Sequence, residues 1–199
     1  MYDYHSVLGA LGVVVGLIAY VPYLRDVLLG TTKPHVFTWL GWGIINAIVF
    51  AAQISSGAGA GAWVTVFTSI AVFSIAIMAF FWGEKNITVS DWIAFIASLS
   101  AIAIWVLTRD ALWAVILVTL ADTVAVIPTV RKAFYKPHEE TALAYAIAVL
   151  RSILSIAALE SFNIVNWLYP AALILSDGGL TTMLLVRRWQ LGRIHPGRC

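Results

Sequence analysis

The sequence is poor in charge and almost free of cysteine, and each shortage excludes a class of protein. Of 199 residues, 11% are charged and 61% are hydrophobic, whereas soluble domains carry about 25% charged residues. So few charges cannot cover so much apolar surface in water, and lipid is the solvent that fits. The single cysteine, Cys199, excludes an internal disulfide framework and a cysteine-based metal site.

Other absences narrow the function. The net charge is only +2, and no basic run is interleaved with aromatic residues, so no nucleic-acid partner is expected. All lysines lie in predicted loops, which excludes a retinal-binding photoreceptor. The histidines lie in loops or tails, and no nucleophile–base pair occurs in an apolar stretch. We therefore expect no enzyme, no cofactor and no metal. No basic segment precedes the first apolar run, so no cleavable signal peptide is expected.

Seven stretches are long and apolar enough to cross a bilayer as helices, which requires roughly 20 residues rising 1.5 Å each. They cover residues 6–25, 36–55, 62–82, 90–108, 111–131, 141–160 and 164–187. Short segments rich in glycine, proline or charge separate them, such as Gly30 to His35 and Arg109-Asp110. The sequence therefore predicts an all-α integral membrane protein with seven transmembrane helices.

The basic residues orient these spans. With the N-terminus outside, ten arginines and lysines fall on the cytoplasmic side, Arg109 falls outside, and Arg151 lies within a span. The ten are Arg25, Lys33, Lys85, Arg131, Lys132, Lys136, Arg187, Arg188, Arg193 and Arg198. This asymmetry obeys the positive-inside rule. We expect a multi-pass protein of the cell (inner) membrane with its C-terminus in the cytoplasm.

The first and last thirds of the chain share an ordered set of residues. A proline is followed three residues later by arginine at Pro22 and at Pro128, and a Lys-Pro-His triplet surrounds Pro34 and Pro137. A tryptophan opens the third span of each copy, at Trp63 and Trp167. Local helix chemistry explains each residue alone, but it does not explain why the set recurs in order.

This repeat predicts the domain organisation. Residues 1–86 form a first three-helix bundle, residues 87–109 a linker helix, and residues 110–199 a second three-helix bundle with a basic cytoplasmic tail. Because one span lies between the copies, both copies begin by running from outside to inside. The repeat is therefore parallel, with its axis along the membrane normal.

The repeat resembles the SWEET and PQ-loop transporter superfamily. The resemblance is carried by the late prolines in Tyr20-Val21-Pro22-Tyr23 and Ala125-Val126-Ile127-Pro128-Thr129, by the two basic turns, and by Thr38 and Thr141. The glutamine that follows each proline in the PQ-loop branch is replaced by Tyr23 and Thr129. The resemblance implies two parallel bundles, a linker helix and a solute site between the bundles. It does not imply a particular solute.

Three ionisable residues lie deep within predicted spans. Asp122, Arg151 and Asp177 each fall roughly 13–15 Å from the cytoplasmic end of a span, near the middle of a core about 30 Å thick. A lone charge there costs at least about 2.5 kcal/mol, so we expect the three to pair around a polar cavity. They are either a structural salt bridge or a substrate site, and two acids with one base leave a surplus carboxyl.

The first copy has no charges at the equivalent positions, near Gly16, Ile48 and Phe73. It offers instead Asn46, one helical turn after Trp42, so that an amide and an aromatic ring share a face. Such a pair suits a polyhydroxylated or planar solute, and the resemblance implies the same use. Trp42 either lines the cavity or faces lipid. The predicted substrate-binding residues are Asp122, Arg151, Asp177, Asn46 and Trp42.

Two kinds of residue predict hinges. Pro22 and Pro128 remove backbone hydrogen bonds within apolar helices, and Gly178-Gly179 directly follows the buried Asp177. We expect a carrier of a small polar solute (a sugar, vitamin or amino acid) that works by alternating access, with proton linkage left open. The alternative is a non-transporting scaffold or a subunit of a larger membrane complex. The expected partners are the solute and the lipid bilayer, and a homo-oligomer is also left open.

Overall fold

The computed structural model consists of helices and the turns between them, with no β-strand among the residues it describes. Those residues are 3–29, 34, 36–83, 92, 96, 99–100, 103–104, 107–108, 110–135, 137–139 and 142–194. The predicted linker helix, 87–109, lies largely outside them. The linker residues that are described are all helical: Trp92, Ile96, Leu99, Ser100, Ala103, Ile104, Leu107 and Thr108.

Continuous helices occupy both predicted repeats. They are α1 (Tyr4–Leu28), α2 (Val36–Ser55), α3 (Trp63–Trp82), α4 (Ala111–Ala125), α5 (Ile127–Tyr135), α6 (Ala142–Ala157) and α7 (Ile164–Ile194). Short 3-10 helices, Gly59–Ala62 and Pro137–Glu139, precede α3 and α6. The all-helical fold is thus confirmed for the described residues. The fifth predicted span is divided into α4 and α5, and α7 continues beyond the predicted end at residue 187.

Three of these segments are long and apolar enough to cross a membrane by length and composition. They are Tyr4–Arg25, Gly59–Trp82 and Ile164–Leu191, and shorter apolar helices cover Trp39–Ser55, Ala111–Val124 and Ala142–Ala157. Membrane insertion and the number of spans stay predictions.

Aspartates begin two of the helices. The Leu112 backbone N–H donates to Asp110 Oδ1 at 2.9 Å at the start of α4, and Asp3 precedes α1 in the same position. These carboxylates satisfy amide groups that the first helical turn leaves without a partner.

Contacts between connections define two ends of the molecule. At the glycine-loop end (residues 56–62 and 158–163), Asn163 Nδ2 donates to the Ser56 carbonyl at 3.0 Å. At the proline end (Pro34 and residues 137–139), Arg188 Nε near the end of α7 donates to the Pro137 carbonyl at 3.0 Å. Helices α1, α3, α4 and α7 therefore run from the glycine-loop end toward the proline end, and α2 and α6 return.

The order of packing is the same in both halves of the chain. In the first half (α1–α3), α3 packs against both α1 and α2, and in the second half (α4–α7), α7 packs against both α4 and α6. Between the halves, α1 contacts α6 and α2 contacts α4, with smaller contacts of α2 with α7 and of α3 with α6. The last helix of each half therefore packs against both of the other helices of its own half.

The outer surface of α1 is apolar along its length. Val7, Leu11, Val14, Ile18 and Val21 recur at helical spacing and are all exposed. Glycines on another face allow close packing, because a Cβ on Gly12 would lie 2.5 Å from Val64 Cγ2 on α3. A helix that is apolar on its exposed face is suited to contact with lipid rather than water.

Candidate functional site

A central cavity of about 340 Å³ lies between the two halves, and all five predicted substrate-binding residues line it. Three come from the second half and two from the first: Asp122, Arg151, Asp177, Asn46 and Trp42. The remaining lining residues are mostly aromatic, small or hydroxylated. They are Ala19, Tyr20, Tyr23, Trp39, Thr68, Val72, Val126, Thr129, Ala144, Tyr145, Ile147, Ala148, Tyr169, Leu173, Ser176 and Leu180.

Arg151 on α6 reaches across to the first half. Its Nη1 donates to the Tyr20 hydroxyl at 3.3 Å and to Thr68 Oγ1 at 3.2 Å, and its guanidinium carbon lies 5.9 Å from the centre of the Tyr20 ring. Thr68 in turn donates to the Val64 carbonyl at 2.8 Å, which fixes its oxygen as the acceptor for Arg151. A deep cation is thus held by neutral groups of the opposite half.

Gly16 makes room for this arginine. A Cβ on Gly16 would lie 3.5 Å from Arg151 Cδ and 3.3 Å from Phe67 Cε1. A larger side chain at this position would occupy the path of the arginine stem. A small residue at this position therefore keeps the path of the Arg151 stem open.

The two aspartates face the same cavity without closing an ion pair on the arginine. Asp122 is 8% exposed and lies in hydrogen-bonding range of the Trp42 and Tyr169 side chains. Asp177 is half-buried and interacts electrostatically with both Arg151 and Asp122. Within the part of the chain that the structure describes, neither carboxylate forms a salt bridge with Arg151. The expected common cavity is present, whereas the expected direct pairing is not.

Aromatic side chains of the first half form one wall. The Tyr23 and Trp39 ring centres are 4.9 Å apart, and Trp39 meets Trp42 edge to face at 5.4 Å. The Asn46 side chain is buried, and its Nδ2 donates to the Trp42 carbonyl at 2.9 Å. Trp42 therefore lines the cavity, and one of the Asn46 donors is already used within its own helix.

Several lining residues occupy equivalent positions in the two repeats. Matching residues of the two copies are 106 residues apart at Pro22 and Pro128, 103 at Pro34 and Pro137, and 104 at Trp63 and Trp167. These spacings relate Tyr20 to Val126, Tyr23 to Thr129, Trp42 to Tyr145, and Val72 to Ser176, and all eight line the cavity. Sequence reasoning missed Tyr145, Tyr169 and Ser176 as site residues, because single tyrosines and serines in apolar spans do not stand out. Transfer of Trp42 through the repeat would have found Tyr145, whereas Ser176 corresponds to Val72, which the sequence did not single out.

Polar contacts close the glycine-loop end above the cavity. Gln53 Nε2 donates to the Asn166 carbonyl at 3.0 Å, and Ser155 Oγ donates to the Gly61 carbonyl at 2.9 Å. The Ala60 N–H donates to Glu160 Oε1 at 3.0 Å, so that Glu160 caps the 3-10 helix of the opposite half. Each of these bonds joins the first half to the second.

Apolar contacts between the halves lie toward the same end. One cluster joins α2 to α4 and α7 through Ile45, Ile48, Val49, Ala52, Ala114, Val115, Val118 and Tyr169. Toward the proline end, the described cluster of Ala133, Ala142, Leu180 and Leu184 belongs to the second half alone. The cavity continues in that direction, past Tyr23, Trp39 and Thr129. Among the described residues, the contacts that join the two halves are therefore concentrated toward the glycine-loop end.

The predicted hinge residues differ in their surroundings. Around Pro128 the helix is interrupted at Val126, between α4 and α5. At Pro22 the helix α1 is continuous, and Gly178 and Gly179 lie within the uninterrupted α7. A Cβ on Gly179 would meet no atom within 4 Å, so close packing does not require this glycine.

No protein-family model, no curated protein and no solved structure matches this chain. The cavity and the two halves that enclose it are therefore the basis of the proposed function.

Proposed function

We propose that this protein is a membrane carrier that moves a small polar solute by alternating access between two three-helix bundles. The observation that carries the proposal is the cavity at the interface of the halves, which is lined by Asp122, Arg151 and Asp177. Intramembrane ionisable residues that face a common cavity are typical of solute and ion pathways. A cavity of about 340 Å³ is also in the range that small-molecule sites occupy.

The packing of the helices supports the two-bundle arrangement. In the predicted repeat, α1 corresponds to α4–α5 and α2 corresponds to α6. The contact of α1 with α6 is then equivalent to the contact of α4 with α2, and both contacts are present. The helix directions agree in the two halves, as a parallel repeat requires. Repeat interfaces of this kind are where transporters place their substrate sites.

The state of the two ends supports alternating access. The glycine-loop end, which the distribution of basic residues places outside, is closed by bonds between the halves. The cavity lining extends to Tyr23, Trp39 and Thr129, toward the end that is predicted to be cytoplasmic. Transport by alternating access requires a second state in which the Gln53, Ser155 and Glu160 contacts separate.

Uptake of radiolabelled solutes into proteoliposomes tests the proposal directly. The carrier predicts saturable uptake of at least one solute class that is lost when Arg151 is replaced. A non-transporting scaffold predicts no uptake of any solute and no effect of cavity substitutions on assembly.

Thiol labelling tests the orientation. In a Cys199→Ser background, Phe162→Cys places a thiol at a position that is 73% exposed at the glycine-loop end, and His138→Cys places one on the exposed side of the proline end. An impermeant maleimide added to intact cells should label Phe162→Cys, and it should label His138→Cys only after permeabilisation. The opposite pattern would refute the orientation.

A further inference from the structure

We propose that the solute is a zwitterion, in which a carboxylate binds at Arg151 and Tyr20 and an ammonium group binds at Asp122. This inference rests on the proposed carrier function and adds the chemical class of its substrate. Arg151 and Asp122 form no ion pair with each other, and their hydrogen-bonding neighbours are neutral side chains. A solute with both charges would complement this arrangement.

The anion side is formed by Arg151 together with hydroxyl groups. Both N–H bonds of Nη1 are directed at Tyr20 and Thr68, which leaves three further guanidinium donors for a solute oxyanion. The Tyr20 oxygen accepts from Arg151, so its own proton can be donated to the same oxyanion. Guanidinium groups bind planar carboxylates in a bidentate manner, and such charge-assisted hydrogen bonds are about twice as strong as neutral ones.

The cation side is formed by Asp122 and its aromatic neighbours. The carboxyl of Asp122 is buried, with the Trp42 and Tyr169 side chains beside it. An ammonium group placed there would have a carboxylate as its counter-ion and aromatic rings as additional partners, since rings attract cations by about 0.5–2 kcal/mol. Asp177 then remains as the surplus acid, available to carry a proton.

The neutral polar groups of the cavity make a polyhydroxylated solute a poorer fit. Asn46 Nδ2 donates to the Trp42 carbonyl, Thr68 donates to the Val64 carbonyl, and Ser176 Oγ donates to the Leu173 carbonyl at 3.3 Å. A sugar needs several uncommitted amide or hydroxyl donors, whereas these N–H and O–H groups are already used within their own helices. Asn46 keeps its second N–H and its Oδ1, but Asp122, Asp177 and the three further N–H groups of Arg151 offer a charged solute stronger hydrogen bonds.

Ligand-dependent thermal unfolding of the purified protein in lipid nanodiscs tests this inference. The probes are the standard free L-amino acids, the methyl ester of each (no carboxylate), the N-acetyl derivative of each (no ammonium), and glucose and sucrose. At least one free amino acid should raise the unfolding midpoint, and its ester and N-acetyl derivative should not. Absence of any shift by the free amino acids would overturn the inference, as would an equal shift by an ester.

Two variants test which residues bind the carboxylate and which bind the ammonium group of the solute. Arg151→Gln should weaken binding of the free amino acid at least ~10-fold, since a bidentate charge-assisted contact is lost, and should reduce its preference over the ester. Asp122→Asn should weaken binding similarly and reduce the preference over the N-acetyl derivative. Ile48→Val, at the repeat position equivalent to Arg151, is the control and should bind as the native protein does. Unchanged affinity of both charge variants would overturn the inference.

Failure of this inference and failure of the carrier function give different results. If a sugar raises the unfolding midpoint and is taken up by proteoliposomes, the zwitterion inference is wrong and the carrier function stands. If a free amino acid binds but is not taken up by proteoliposomes, the substrate class stands and the carrier function is wrong.

Discussion

The two halves of this protein share a helix order and a set of equivalent positions, yet they contribute different chemistry to the central cavity. The second half supplies all three charges, Asp122, Arg151 and Asp177. The first half supplies aromatic rings, hydroxyls and one amide, and Gly16 and Ile48 stand at the positions equivalent to Asp122 and Arg151. The comparison indicates that the charges of the cavity come from divergence between the copies, because the first copy has none at the equivalent positions.

The largest effect is expected from removal of the cation that lines the cavity, Arg151. Arg151→Gln should lower uptake by roughly 10-fold to 100-fold, because a hydrogen bond to a charged group contributes about 1.5–3 kcal/mol. Ile48→Val, the matched change in the first half, should keep uptake within about two-fold of native, since Ile→Val typically costs only 0.5–1.5 kcal/mol of stability. Initial rates of uptake into proteoliposomes measure both variants. Equal losses of uptake would contradict the proposal that the charged residues of the second half bind the solute.

The second-largest loss of uptake is expected when a residue of the first half is replaced by its equivalent from the second half. Gly16→Asp would place a carboxylate beside the stem of Arg151, where a Cβ lies 3.5 Å from Arg151 Cδ. The new acid should pair with the guanidinium and compete with the solute, so that uptake falls by about 10-fold or more, as it does when one charged partner is lost.

Gly16→Ala is the control for this substitution. It adds only a methyl group, which Phe67 can accommodate by a small shift, and it should keep most of the uptake. Native uptake by Gly16→Asp would show that Arg151 does not bind the solute.

A smaller and more specific effect, on the pH dependence of uptake, is expected from replacement of Asp177, the acid in excess over the single base. If Asp177 carries a proton during transport, Asp177→Asn should abolish the dependence of net uptake on external pH and leave exchange of internal for external solute intact. If the three charges serve only to hold the helices together, the same variant should lower the unfolding temperature and keep the pH dependence. Counterflow and uptake across a pH series distinguish the two results.

Much of this arrangement could be predicted from the sequence. Hydropathy placed the ends of α1, α2, α3 and α6 within a few residues, because about 20 apolar residues are needed to cross the hydrocarbon core. The fifth predicted span is divided, and α7 continues to Ile194, because helical propensity extends beyond the apolar stretch. Depth along each span then placed Asp122, Arg151 and Asp177 at one level. The hydrogen bonds of Arg151 to Tyr20 and Thr68 could not be predicted, because depth gives a level within the bundle and not the direction in which a side chain points. The closure by Glu160 depends on loop geometry, which the sequence pattern does not give.

The smallest effects are expected at two glycines that differ in their surroundings. Gly59 has a φ of +57°, and a Cβ there would collide with the Glu160 carboxyl, so Gly59→Ala should lower stability by about 1–3 kcal/mol. Gly179 lies within α7 with open space around it, and Gly179→Ala should be neutral or stabilising by about 0.5–1 kcal/mol.

Uptake then tests whether Gly179 is a hinge. If it is, Gly179→Ala should slow uptake although its unfolding temperature is unchanged or raised. Uptake at the native rate would limit the role of this glycine to structure.

The central claim is that the two halves must separate at the glycine-loop end for transport to occur. An ideal Cβ on Gly57 lies 3.7 Å from Ser161 Cβ, close to the ~3.8 Å that disulfides favour. A Gly57→Cys/Ser161→Cys variant in a Cys199→Ser background can therefore join the halves by a disulfide. Because Gly57 has a φ of +74°, each single variant and the reduced double variant serve as controls for local strain.

Uptake by this double variant before and after reduction is the most direct measurement. Oxidation should stop uptake, and dithiothreitol should restore it to the rate of the single variants. Transport by the fully oxidised protein at the rate of the reduced protein would contradict alternating access between the two halves.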